Sequence, residues 1–130
     1  MITQHILFVG ASVLAATLAG RAAPEQVSGP YVRVAEIEID PAQIENYNAA
    51  AREEIETSVR VEPGVLGLYA VAEKDHPTRI RVLEIYADIA DYQAHLETPH
   101  FKKYKAVTQS MVKSLKLFDA VPVALHAKEK

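Results

Sequence analysis

The sequence predicts an α+β domain built on a four-stranded antiparallel sheet, and three observations predict it. Segments with the period of a strand recur along the chain. Two residue-Pro steps, Asp40-Pro41 and Thr98-Pro99, write helix starts between them. The resulting order is strand, helix, strand, strand, helix, strand.

The first strand is Tyr31 to Ile39, YVRVAEIEI. Tyr31, Arg33, Ala35, Ile37 and Ile39 fall on one face, and Val32, Val34, Glu36 and Glu38 on the other. Asp40 is placed as an N-cap and Pro41 as the first helical residue. Ile44, Tyr47, Ala51, Ile55 and Val59 then make one apolar stripe at helical spacing. Pro63 and Gly64 end that unit. Val65 to Glu73 is the second strand, Lys74 to Thr78 the turn, and Arg79 to Tyr86 the third strand. Ile80, Val82, Glu84 and Tyr86 share a face there, with Arg81, Leu83 and Ile85 opposite. Apolar residues on both faces predict that both are covered. Asp88 caps a short helix through Asp91 and His95. Thr98 and Pro99 start the next, with Phe101, Tyr104, Val107, Thr108 and Met111 as its buried face. Leu115 to Leu125 reads as the last strand, bent at Pro122.

This β-α-β-β-α-β order is the ferredoxin-like split arrangement, with helices on one sheet face. The other face still has apolar residues to hide. A domain of this size hides them by packing sheet on sheet in a homodimer, with VPVAL near the C-terminus reaching toward the partner.

The chain has 130 residues, 49% of them apolar, and a formal charge of -3. That suits one folded domain with a modest core. Charges of both signs are mixed and no Lys/Arg run exists, which speaks against nucleic acid. The absence of cysteine excludes disulfides, thiolate metal sites and cysteine nucleophiles, and leaves the compartment open. Residues 1–30 differ from the rest. Ile6 to Leu18, ILFVGASVLAATL, is too short for a stable membrane span. Ala19, Ala22 and Ala23 offer a cleavage site, and PEQVSGP a tether. The segment resembles a secretory signal and so predicts export to the periplasm or medium. Its start lacks Lys and Arg, and the alternative is a packed N-terminal helix on a cytoplasmic protein. The expected division is therefore 1–30 signal-like or helical segment and tether, 31–126 folded domain, 127–130 tail.

One stretch carries a family likeness. It comprises Ser58 and Arg60 before the EPG corner at Glu62–Gly64, the LGLY strand, and LEIYADIADYQAHLETPHFKKY from Leu83 to Tyr104. Glu84 and Tyr86 followed by His95 ahead of Thr98–Phe101 are its most specific part. In these residues the chain resembles the antibiotic biosynthesis monooxygenase family. The likeness covers about residues 31 to 120. It implies a dimeric α+β barrel. It also implies a range of chemistries: small quinol or polyketide monooxygenases that use dioxygen without flavin, haem or metal, an isomerase of a phosphorylated sugar, and haem-degrading proteins. The haem-degrading branch relies on an Asn, a Trp and an axial His. This chain has Asn46 and Asn48 on its first helix but no Trp.

His95 is the first catalytic candidate. An imidazole titrates near neutrality and can take a phenolic proton, leaving an electron-rich anion that hands one electron to dioxygen. The plainer reading is a residue that packs or caps the short helix. His100 lies in a helix's first turn, where the dipole disfavours its charged form; it serves as a neutral donor or acceptor, or sits on the surface beside Phe101. Glu84 on an apolar face needs a partner. It either orients a histidine or forms a salt bridge, with Arg60 better placed than Arg81. Tyr86 donates to a substrate oxygen or fills the core. Arg60 is a candidate oxyanion stabiliser, and Asn48, Ser58 and Tyr69 complete the candidate substrate-binding set. No H-E-x-x-H, Gly-rich phosphate loop or nucleophile elbow occurs, so neither a metal nor a cofactor is expected.

The predicted function is a cofactor-independent monooxygenase that oxidises a small phenolic or quinol-like aromatic, with His95 as general base. Two alternatives stand beside it. One is an isomerase of a small hydroxy-carbonyl compound on the same fold. The other is a non-catalytic dimeric binding or stress module.

Overall fold

The structure is a computed structural model that describes Gly20 and residues 29–130. The signal-like segment and most of its tether lie outside the described residues. Strands β1 (Tyr31–Ile39), β2 (Val65–Glu73), β3 (His76–Tyr86) and β4 (Val112–Ala120) form one antiparallel sheet in the order β2-β3-β1-β4. Helices α1 (Ile44–Val61), α2 (Ile89–Leu96) and α3 (Pro99–Thr108) complete the chain order. This is the ferredoxin-like α+β fold that the sequence predicts. Among the described residues no helix is long and apolar enough to cross a membrane.

The caps act as expected. Asp40 Oδ1 accepts from the Ala42 amide at 3.0 Å, and a short 3-10 turn over Pro41–Gln43 leads into α1. Asp88 Oδ1 accepts from the Asp91 amide at 2.8 Å, and Thr98 Oγ1 from the Phe101 amide at 3.3 Å. Each such cap contributes on the order of 1 kcal/mol.

Three boundaries and two helix faces differ from expectation; on α3, Val107 is exposed and Met111 lies beyond the helix end. The β2–β3 turn is tighter than Lys74–Thr78, because His76 already pairs with Glu73. Pro77 is tolerated in β3 because the β1 pairing begins only at Arg79, opposite Glu38, so its missing N–H leaves no bond unmade. The last strand runs Val112–Ala120 rather than Leu115–Leu125. Its partner β1 is used up at the Val32–Ala120 pair, and Pro122 cannot extend the ladder. In α1, Val59 is exposed, and the buried positions are Tyr47, Glu54 and Ser58. The helix presents a row with polar members to the sheet.

Helix-facing residues of the sheet are Arg33, Ala35 and Ile37 of β1, opposite Glu84, Val82 and Ile80 of β3 and Asp119, Leu117 and Leu115 of β4. They build two separate apolar clusters. One joins Ala35, Ile37, Ile39 and Ile80 to Tyr47 and Met111; the other joins Val65, Leu68 and Tyr86 to Ile55 and Tyr92. A fully buried residue such as Ile39 stabilises by roughly 2–3 kcal/mol. The opposite sheet face exposes Leu66, Tyr69, Val71 and Phe118. Beside them lies an ion-pair ladder in which Arg81 meets Glu73 at 2.8 Å and Glu36 at 3.6 Å. Gly64 sits against α2, and a Cβ there would overlap the Asp91 side chain. Only the bare backbone lets α2 settle this close to the corner between α1 and β2.

Candidate active site

A cavity of about 120 Å³ separates the two clusters. Its apolar wall includes Ile37, Ile55, Leu68, Val82, Leu96 and Phe101. Its polar lining comprises Arg33, Glu54, Glu84, Tyr92, His95, Tyr104 and Lys105. Leu115 and Leu117 close the β4 side, each about half exposed, so the cavity opens there.

His95 is 2% exposed and stands between two carboxylates. Its Nε2 lies 3.3 Å from Glu54 Oε1, and its Nδ1 2.9 Å from Glu62 Oε2. The same Glu62 oxygen meets His100 Nε2 at 2.7 Å. Ser58 Oγ donates to Glu54 Oε1 at 2.7 Å from one helical turn away. Four ionisable groups thus form one chain, Glu54–His95–Glu62–His100, from the cavity toward the outer end of α3.

The protons follow from the contacts. Burial raises the Glu62 carboxyl, but hydrogen bonds from His100 and His95 outweigh it, and the net pKa lies below the ordinary carboxylate range. Glu62 is therefore an anionic acceptor, and His95 donates to it through Nδ1–H. Burial raises the Glu54 carboxyl above its ordinary value, against the lowering effect of the Ser58 hydrogen bond and the two histidines. A bare carboxylate facing the Nε2 lone pair would be repulsive. A proton between Glu54 Oε1 and His95 Nε2 removes that repulsion.

His95 Nδ1, His100 Nε2 and Glu62 Oε2 lie within 4.8 Å of one another. Two imidazoles and a carboxylate are a donor set that a divalent cation accepts. Here the same atoms are engaged with each other by hydrogen bonds of normal length.

At the other end of the cavity, Glu84 Oε1 accepts from the Tyr86 hydroxyl at 2.6 Å. Burial raises the Tyr86 phenol well above its ordinary range, and the adjacent Glu84 charge adds to it. Arg33, directly across from Glu84 on β1, places its guanidinium 4.5 Å from the Tyr92 ring centroid and donates from Nη1 to the Tyr92 hydroxyl. Tyr92 packs on Tyr86 at 5.2 Å, and Tyr86 on His95 at 5.5 Å, so the two ends share one aromatic wall.

A family profile for antibiotic biosynthesis monooxygenases matches residues 30–107. The chain belongs to the antibiotic biosynthesis monooxygenase family. A crystal structure from Bacteroides thetaiotaomicron, provisionally named an antibiotic biosynthesis monooxygenase, is 55% identical with a TM-score of 0.75, covering 78% of this chain and 97% of that one. A provisionally named monooxygenase from Lactobacillus acidophilus is 31% identical with a TM-score of 0.71, covering 72% of this chain and 45% of that one. A family protein from Nitrosomonas europaea, also provisionally named, is 25% identical with a TM-score of 0.70, covering 74% and 92% respectively. No curated protein matches.

Within this antibiotic biosynthesis monooxygenase domain, the sequence candidates divide. His95 and Glu84 line the cavity, while His100 and Ser58 reach it through Glu62 and Glu54. Tyr86 is fully buried outside the lining, and its hydroxyl is held by Glu84, which makes it a positioning residue. Arg60 is exposed on the last turn of α1 and makes no ion pair with Glu84; the β1 ladder puts Arg33 across from Glu84 instead. Asn48 and Tyr69 are exposed and face a separate surface groove beside α1 and β2. Tyr69 faces away from the cavity because it alternates with Leu68, which holds the cavity side.

Glu54, Glu62, Arg33 and Tyr92 are the site residues that the sequence reading missed. For Arg33 the signal was present, since it shares its strand face with Ala35 and Ile37. For Glu54 it was the spacing from Tyr47 and Ala51, which places it on their side of α1.

Proposed function

We propose that the protein is a monooxygenase of small phenolic or quinol-like aromatics, with the Glu54–His95 pair as the proton acceptor. The observation that carries this is a buried carboxyl–imidazole pair, Glu54 Oε1 3.3 Å from His95 Nε2, on the wall of a cavity of about 120 Å³. A phenol entering the cavity gives its proton to the pair. Glu62 and His100 continue the hydrogen-bonded path by which that proton leaves. The phenolate left behind transfers one electron to dioxygen, and the two radicals combine at an open ring carbon. Loss of the ring proton from that carbon expels water and leaves a quinone carbonyl. One oxygen atom enters the ring and the other leaves as water. The substrate supplies all four electrons, so no further reductant enters the balance. The apolar wall beside the pair limits competing water during the proton transfer.

A homodimer is part of this proposal. Leu66, Tyr69, Val71 and Phe118 leave an apolar patch on the sheet face away from the helices, which a second sheet would cover. The signal-like N-terminus supports export of the domain.

Oxygen uptake by the full chain with a panel of phenols and hydroquinones tests the reading, with Glu54→Gln and His95→Ala as controls. Uptake above autoxidation that both variants abolish is the expected result. Turnover of a hydroxy-carbonyl compound without oxygen uptake would overturn it in favour of an isomerase. Binding without either reaction would leave a non-catalytic module.

A further inference from the structure

The Arg33 end of the cavity has a charge for which the reaction above has no use. The Arg33 side chain is 12% exposed, yet its nearest counter-charge is Asp119 at 3.6 Å, itself 73% exposed. Its Nε, the atom that faces Asp119, is buried and makes no hydrogen bond among the described residues. The contact with the Tyr92 hydroxyl engages only Nη1. A guanidinium carries five donors in a planar fork, and burying them unpaired is costly. Such a fork matches the two oxygens of a carboxylate. Lys105 adds a second cation to the lining, against the single charge of Glu84 when the Glu54–His95 pair holds its proton. Glu84 is turned toward Tyr86 by the 2.6 Å hydrogen bond.

Size narrows the ligand further. The cavity volume of about 120 Å³ lies near that of an apolar protein cavity that holds one benzene ring, about 150 Å³. One ring therefore fills its enclosed part, and any further ring would lie toward the opening at Leu115 and Leu117.

We infer that the cavity selects a single-ring phenol bearing a carboxylate, with Arg33 as the specificity-determining residue that receives the carboxylate. This rests on the proposed function for the orientation of the ring. The carboxylate sits at Arg33 and the phenolic hydroxyl turns toward Glu54 and His95. A ring substituted at the meta position leaves the carbon para to the hydroxyl open. For 3-hydroxybenzoate the overall change is then one dioxygen consumed, one carboxybenzoquinone formed and one water released.

Binding to the full chain under anaerobic conditions separates this from turnover. The probes are 3-hydroxybenzoate and its neutral isostere 3-hydroxybenzamide, titrated calorimetrically against wild type, Arg33→Gln and Arg33→Lys. A charge-assisted pair corresponds to a preference of roughly tenfold to a hundredfold for the carboxylate in wild type. Arg33→Gln is expected to abolish that preference, and Arg33→Lys to keep part of it. The wild-type comparison needs no folded variant. Equal affinity for the two probes, no binding of either, or a preference that survives Arg33→Gln overturns the inference. A preference that Arg33→Gln removes, with no oxygen uptake when air is admitted, would keep the inference and sink the oxygenase reading alone.

Discussion

Glu54 and His95 approach to 3.3 Å from two different helices, and neither has water-facing surface of any size. The contact is inside the domain but at the edge of a cavity. There a proton can be exchanged with a ligand and with little else.

Replacing Glu54 by Gln keeps the shape and removes the acceptor. Oxygen uptake should fall by about a hundredfold or more, the range of a lost general base. Substrate binding, measured anaerobically, should change far less. A variant with normal turnover would remove Glu54 from the proton path.

Stability should respond to pH in opposite senses at the two carboxyls. Glu54 has its pKa raised by burial, so its favourable contribution is full in acid and is lost as pH climbs through the raised value. Glu62 is lowered on balance, by the His100 and His95 hydrogen bonds acting against burial. Its contribution is present above the ordinary carboxylate range and lost as pH falls through the lowered value. In urea titrations near neutrality, Glu62→Gln should therefore cost about 1–3 kcal/mol. Glu54→Gln should match or exceed wild type there. Both differences should shrink in acid.

Ser58→Ala removes the 2.7 Å hydrogen bond to Glu54 Oε1. The expected loss of stability is about 1 kcal/mol. That hydrogen bond also holds the Glu54 carboxyl down, so its removal pushes the group further up. The acid limb of kcat/KM should then move to higher pH, a change that a purely structural serine would not produce.

Chelation should leave oxygen uptake unchanged. If EDTA abolishes it and a divalent cation restores it, the His95–Glu62–His100 cluster would have to be redrawn as a metal centre.

Val71→Asp puts a carboxylate on the exposed sheet face, within the apolar patch on edge strand β2. Light scattering should give twice the chain mass for wild type and the single-chain mass for this variant. A wild-type monomer would leave the apolar face to some other partner.

The fold was legible because its signals are local. Alternation in YVRVAEIEI, the Asp40-Pro41 and Thr98-Pro99 starts and the apolar rows all act within a few residues. The ends were less legible: where β4 stops depends on the length of β1, which lies some eighty positions away in the chain. The site was half legible. His95 and Glu84 stand out as polar residues at apolar positions, and the family likeness sharpened them. Glu54 was hidden because a search for apolar periodicity passes over a carboxylate, even when the helix turns that carboxylate inward. Its partner, His95, comes from α2, and no spacing within α1 could announce it. Arg60 looked like the partner of Glu84 because Arg81 alternates to the other strand face, whereas Glu84 is held by the Tyr86 hydroxyl and strand register puts Arg33 across from it.

The two apolar clusters do not touch across the cavity, and this makes the domain a detector as well as a container. A molecule seated between them would bridge two halves of one interior, so occupancy and resistance to heat become a single equilibrium. At a hundredfold excess over Kd such coupling amounts to about 2.7 kcal/mol. A melting curve can therefore rank candidate molecules before any reaction has been seen, and the best-fitting one should sharpen the transition as well as delay it.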